Sequence, residues 1–279
     1  MVQVQKNSVT RWRFSLGQEL PCWQVCAEND AQDSNNPIHD NRLAQQLGFG
    51  GGLVPGVTLY GYLTHPLIAV FGRAFLQHGS LEVRFRRPVY AGETVTTLVR
   101  VSEVGAAGCE FQLELRNAAG EACAVGRAQF PADIHTAPSA PAKAPLPQSR
   151  RPATPEELRA NPLLGSLHEV FTPAQSATFV ASLGDSLELY QTLVHPSWLL
   201  RQANYLLDRN LALGPWIHTE SRIQHLGLVQ LGEPFTVQGE VVELSTRKGN
   251  DYADIDVLIA TSKPVLRVLH RVIYRMPLP

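Results

Sequence analysis

Between Val54 and Phe71, apolar side chains recur at Val57, Tyr60, Leu63, Leu67 and Phe71, which is the spacing of one helical face. Leu59, Ile68 and Val70 carry the apolar character around the other side, and a helix apolar all round belongs in a core. Gly56 and Gly61 each cost such a helix roughly 1 kcal/mol relative to Ala. They therefore mark close packing or the close approach of a ligand. After this segment the period changes to two. Leu81, Val83 and Phe85 alternate with Glu82, Arg84 and Arg86; Val95, Thr97, Val99 and Val101 alternate with Thr94, Thr96 and Arg100; Phe111, Leu113 and Leu115 alternate with Glu110, Gln112 and Glu114. Glu121 to Phe130 completes four strands, each with one buried face, and short turns favour antiparallel order.

The second half repeats the plan. His195-Pro196-Ser197 opens a helix through Trp198, Leu199, Ala203, Leu206 and Leu207. Strands are expected at 216–225, 234–244, 252–260 and 264–274, with Arg247-Lys248-Gly249-Asn250 as a hairpin turn. Glu82-Val83-Arg84-Phe85 is echoed by Glu220-Ser221-Arg222-Ile223, and Ala91-Gly92-Glu93 by Leu231-Gly232-Glu233, at offsets of 138 and 140 residues. The chain reads as an α+β protein made by duplication, with units at 1–135 and 161–279. Residues 136–160 form a proline-rich linker, with six prolines between Pro138 and Pro155. Such a segment disfavours helix and sheet and in extended form could reach about 50 Å. Near its end, Thr154-Pro155-Glu156-Glu157 reads as a capping box that starts a short helix.

Composition narrows the function classes. Net charge is −1 from 24 basic and 25 acidic side chains, so no global field draws the chain to nucleic acid or a membrane surface. No apolar run has the length of a membrane span and the first ten residues lack a signal-peptide core, so a cytoplasmic location is expected. Cys22 and Cys26 have no second pair at metal-ligand spacing. Cys109 and Cys123 sit in strand patterns as small buried thiols. No metal or other cofactor is expected.

Residues 33–57 carry the chemistry: a polar turn with Asn36-Pro37-Ile38-His39, a short helix from Asp40 to Leu47, and a glycine-rich loop entering the buried helix at Val54-Pro55-Gly56. The second half has no equivalent segment. Together with Ala44, Gly48-Phe49 and the run Arg84 to Glu93, these residues resemble the MaoC-like hydratases and dehydratases of the hot-dog superfamily. The match is specific over roughly residues 30–103 and architectural beyond them. The resemblance implies a double hot-dog fold, two fused units each with an antiparallel sheet wrapped around a central helix. It also implies reversible addition of water across the 2,3 double bond of an acyl thioester carried on coenzyme A or a carrier protein. In that scheme an Asp and a His five residues later act as acid and base, and the Gly56 N–H polarises the thioester carbonyl.

His39 occupies the histidine position, whereas Ser34 stands where the Asp is expected. Serine can hold water but cannot be a carboxylate base. Asp33 and Asp40 flank the motif as alternative sources of charge, against ordinary roles in solvent or as a helix cap. Asn36, Val54, Pro55, Gly56, Tyr60 and Arg84 are the candidate substrate contacts. For Tyr60 the competing reading is a satisfied core hydroxyl, and for Arg84, with Arg86 and Arg87, a solvated strand face. His65, His195 and His218 default to structure. The rival functions are an acyl-thioester-binding protein without turnover and a thioesterase. The second is disfavoured because residues 54–71 contain no Asp or Glu. A homodimer of the fused chain is a further possibility, although one chain suffices to build the fold.

Overall fold

The structure, a computed structural model, describes residues 14–31, 34–132 and 139–276. The first half runs through β1 (Trp23–Cys26), a helical turn at Pro37–His39, α1 (Asn41–Gln46), the central helix α2 (Gly56–Phe71) and α3 (Arg73–His78). It continues with β2 (Ser80–Phe85), β3 (Thr94–Val104), β4 (Cys109–Asn117) and β5 (Ala122–Phe130). The second half contains β6 (Arg151–Pro152), α4 (Pro155–Ala160), β7 (Leu163–Val170), α5 (Pro173–Ser182) and a turn at Glu188–Gln191. The helix α6 (Pro196–Asn210) follows, then β8 (Leu211–Ala212), β9 (Ile217–His225), β10 (Pro234–Arg247), β11 (Asn250–Ala260) and β12 (Pro264–Arg275).

Ten strands form one antiparallel sheet in the order β1-β3-β4-β5-β2-β9-β12-β11-β10-β7. The order is a palindrome about the β2–β9 seam, so the duplication produces a pseudo-two-fold arrangement. At the seam Glu82 pairs in register with Arg222 and Arg84 with Glu220, and Arg84 Nε lies 3.0 Å from Glu220 Oε2. The periodicity of β2 dictates this: Leu81 and Val83 face the core while Glu82 and Arg84 project outward. α2 and α6 pack against each other and against the sheet, and the Ser197 hydroxyl of α6 donates to the Val57 carbonyl of α2 over 2.7 Å. The apolar side chains of both halves form one continuous core.

The duplication is finer than the echoes of sequence suggest. Val54 N–H donates to Val89 O and Val194 N–H to Val229 O, while Gly92 N–H donates to Ala27 O and Gly232 N–H to Phe171 O. Leu53 bridges Tyr90 as Leu193 bridges Gln230. The entrance to each central helix is thus built by equivalent bonds, at an offset of 140 residues for every partner but the acceptors Ala27 and Phe171, which stand 144 apart. It is approached differently in the two halves: through the Pro37–His39 turn and α1 in the first, and through α5 and the Glu188–Gln191 turn in the second.

The described part of the proline-rich segment is held against the second half. Ser166 N–H donates to Ala144 O over 2.8 Å, β6 pairs with β8, and Thr154 caps α4 by accepting from Glu157 N–H. Leu158 of α4 is buried. Thus the segment from about Ser139 onward packs as part of the second unit and is not a free spacer. The Lys248-Gly249 turn joins β10 to β11 with positive φ at both residues, as the hairpin reading requires. Among the described residues no helix is long and apolar enough to cross a membrane.

Candidate active site at the entrance to the first central helix

The Asn36–His39 turn is formed by its own sequence. The Asn36 side chain accepts from Ile38 N–H, and Pro37 supplies the first helical position. The same amide reaches across the molecule: Nδ2 donates to Trp216 O over 2.9 Å and Oδ1 accepts from Trp216 N–H at 3.3 Å. Asn36 therefore fastens the motif to the second half, and its polar atoms are used within the fold.

His39 is buried. Its Nδ1–H donates to the Leu53 carbonyl over 2.7 Å, which fixes the tautomer and leaves Nε2 with a free lone pair. Burial pulls the ring below the ordinary histidine value, against the raising effect of the Leu53 bond, with smaller opposed influences from Arg201 and Asp30. The imidazole is therefore neutral at pH 7, the form that can accept a proton. Its backbone is also held, since Asn29 Nδ2 donates to His39 O over 2.8 Å.

The glycine-rich loop is constrained by this carbonyl. A Cβ on Gly52 would lie 2.1 Å from His39 O, a contact no side chain tolerates. Gly52→Ala is expected to lower stability by about 1–3 kcal/mol and to displace His39. The check is a thermal melt with activity measured alongside, and an unchanged melting temperature would refute the proposed packing role.

His39 stands where two cavities meet. One, of about 180 Å³, is lined by Ile38, Phe49, Leu53, Leu59, Phe85 and Ile217, an apolar chamber suited to an acyl chain. The other, of about 530 Å³, is polar and includes Asp30, Ser34, Arg201 and Asp208. Asn36, His39, Asn204 and Trp216 line both. Val54 and Gly56 border the apolar chamber and Pro55 the polar one. The start of α2 thus faces the junction, and the first N–H groups of a helix have no intrahelical partner.

The remaining sequence candidates separate. Ser34 lines the polar chamber, and Asp33 lies outside the described residues. Asp40 is committed elsewhere: its Oδ1 accepts from Leu43 N–H as the cap of α1, and it borders neither chamber. Tyr60 is fully buried with its hydroxyl 2.9 Å from His225 Nε2, outside both cavities. Arg84 is turned to the outer face of the sheet and paired with Glu220, whereas Arg86 and Arg87 border the apolar chamber.

Reading the sequence missed the contribution of the second half. Arg201, Asn204, Tyr205, Asp208 and Arg209 present one face of α6 to the polar chamber. Arg201 is paired with Asp30 and donates to Thr58 Oγ1 over 3.0 Å, with its guanidinium 5.0 Å from the Phe179 ring centre. Asp30 is thereby tied to the fold, with Thr58 Oγ1 also donating to its Oδ1 over 2.9 Å. Burial pushes Asp208 up to about 6, against the Trp216 indole and the Arg150 and Arg209 charges. Asn204 Oδ1 is buried without a hydrogen-bond partner. His218, which the sequence assigned to structure, borders the apolar chamber. Among the described residues no group of three or more His, Cys, Asp or Glu is placed to hold a metal ion.

No protein-family model matches the sequence, and no curated protein matches it significantly. Solved structures do. A protein described as a MaoC domain dehydratase from Chloroflexus aurantiacus superposes with a TM-score of 0.67 at 12% identity, covering 95% of this chain and 97% of its own. A Mycobacterium tuberculosis protein described as a double hot-dog fold gives 0.57 at 15% identity, covering 93% and 96%. A protein described as an oleoyl thioesterase from Lactobacillus plantarum gives 0.52 at 13%, covering 94% and 98%. The fold is the double hot-dog expected from the sequence. At these identities the likeness concerns architecture, and its neighbours include both dehydratases and thioesterases.

Proposed function

We propose that the chain is a hydro-lyase that adds water reversibly to a 2-enoyl thioester, with His39 as the general base. The observation that carries this reading is the placement of His39. A neutral imidazole with one nitrogen fixed and the other free stands between an apolar and a polar chamber, beside the start of α2. In the hydration direction the acyl chain occupies the apolar chamber and the thioester carbonyl meets the Gly56 N–H. Nε2 takes a proton from water as its oxygen bonds to C3, and the carbonyl oxygen gathers the developing enolate charge. Protonation at C2 completes the addition. The orphaned Asn204 Oδ1 offers an acceptor for the second hydrogen of that water.

The Asp absent at position 34 leaves the acid role open. Asp30 is tied up by Arg201 and Thr58, which leaves Asp208 as the carboxyl in the polar chamber that still exchanges a proton near neutral pH. The test follows the loss of enoyl absorbance when protein is added to short and long trans-2-enoyl-CoA, with free thiol measured in parallel. Turnover is expected, with Asp208→Asn slower by about 10²-fold. Thiol release without loss of the double bond would assign hydrolysis instead, and neither signal would leave an acyl-thioester-binding role.

A further inference from the structure

We infer that His218, from the second half of the chain, is a further oxyanion donor to the thioester carbonyl. It acts beside the Gly56 N–H, with its tautomer set by a buried Ser221–His270 relay. This inference rests on the acyl-thioester reading of the site and adds to it a residue outside the sequence motif.

The geometry begins at Gly56. A Cβ built there would lie 2.8 Å from His218 Nδ1 and 2.9 Å from Phe85 Cε2. The imidazole is therefore set against the first turn of α2, and both residues border the apolar chamber. His218 is 6% exposed, and its Nδ1 has no hydrogen-bond partner. A buried polar atom left unpaired beside a cavity is a destabilising feature unless something that enters the cavity satisfies it.

The other ring nitrogen explains which form His218 takes. Nε2 lies 2.8 Å from Ser221 Oγ, and Ser221 Oγ lies 3.0 Å from His270 Nδ1. His270 Nε2 is buried and also unpartnered. One hydroxyl hydrogen permits two arrangements. In the first, Ser221 donates to His270, His218 Nδ1 is a bare lone pair, and an N–H is stranded at His270 Nε2. In the second, Ser221 donates to His218 Nε2 and accepts from His270 Nδ1–H, so His218 Nδ1 carries the hydrogen. An orphaned N–H is tolerated less well than an orphaned acceptor. The second arrangement puts the orphaned N–H at the cavity, where a ligand oxygen can accept it.

Charge does not interfere. Burial, reinforced by His270 and opposed by the Glu220 backbone, holds His218 well below the ordinary histidine value, and burial holds His270 near 3. Both rings are neutral, so Nδ1–H can polarise a carbonyl without first giving up its proton. The duplication adds a contrast: the position equivalent to Gly56 is Pro196, which has no N–H to offer. A carbonyl-binding corner therefore exists at one helix entrance only, and His218 is the side chain set against it.

The experiment compares the wild type with His218→Leu and His218→Asn. The Asn amide can present an N–H close to where Nδ1 stands. Leu is expected to lower kcat by about 10²–10³-fold with KM changed less than threefold, and Asn to recover to within about tenfold of wild type. An isotope-labelled thioester carbonyl bound to each protein gives a readout independent of turnover. Its infrared stretch is expected to be lowered in the wild type and His218→Asn, and less so in His218→Leu. Equal kcat and equal carbonyl frequency in folded His218→Leu would overturn the inference while leaving the hydro-lyase reading intact. Failure of the wild type to bind any acyl thioester would overturn both.

Discussion

Replacing His39 by alanine is expected to reduce turnover of a 2-enoyl thioester by roughly 10²–10⁴-fold, the contribution of a positioned acid–base group. The fold should survive the change. The imidazole contributes a hydrogen bond to Leu53 O, worth about 1 kcal/mol net, and its loss enlarges a junction that is already open. Asn29 continues to hold the backbone carbonyl of residue 39. Circular dichroism and a thermal melt should therefore place His39→Ala close to the wild type while the absorbance assay goes flat. In the wild type, kcat/KM should fall on acidification through the depressed pKa of His39, because only the neutral ring accepts a proton. Full activity in His39→Ala would assign the base elsewhere, with Asp208 the first group to examine.

The local parts of this structure were legible in the sequence. α2 announces itself by helical spacing and all-round apolarity, β2 to β5 by alternation, and the β10–β11 hairpin by Lys248-Gly249. Each signal arises within a few residues of its cause. The edge strands β1 and β7 escaped because they are short or irregular. The pairing of β7 with β10 shifts register between Val237 and Gly239, which destroys simple alternation. Arg84 is a candidate substrate contact by motif, yet the same alternation that identifies β2 puts it on the face opposite Leu81 and Val83.

The candidate site was half legible. His39, Ser34, Val54, Pro55 and Gly56 could be found because they lie in one contiguous motif. Asn204, Asp208, Trp216 and His218 are some 150–180 residues away, and the sheet brings them to the site only after the halves close along β2 and β9. One signal was available. Leu53-Val54-Pro55-Gly56 aligns with Leu193-Val194-His195-Pro196 at the 140-residue offset, and the two entrances make the same backbone bonds. Reading Gly56 against Pro196 shows from sequence alone which entrance retains an N–H. His195 in the other copy serves structure. Its Nδ1 accepts from Ser197 N–H and its Nε2 lies 3.4 Å from Asp185, which also accepts from His65 Nδ1 over 2.9 Å.

The protein should lose stability on mild acidification, above the ordinary carboxylate range, because it buries neutral histidines. Burial holds His225 and His270 near 3 in the folded chain, whereas unfolded they titrate near 6.5. Between these values the unfolded state binds protons that the folded state does not, so stability falls as pH drops from about 6.5 toward 3. At pH 5 each histidine costs about 2 kcal/mol relative to pH 7. His39, His195 and His218 act in the same direction. Asp208 opposes them: with a folded value raised to about 6, it gains a proton first in the folded state and returns roughly 1 kcal/mol over the same interval. Burial alone would raise Asp185, but hydrogen bonds from His195 and His65 outweigh it and hold it low, so it adds to the loss only at lower pH. The histidines win: His225 and His270 against Asp208 alone leave a loss of about 3 kcal/mol between pH 7 and pH 5, and the other three histidines can only add to it. Urea denaturation at the two pH values measures it directly. Whatever its stability at pH 7, a His225→Gln/His270→Gln double variant should show a much smaller difference. Equal stability of the parent at pH 7 and pH 5 would mean that these rings take up protons without unfolding the chain.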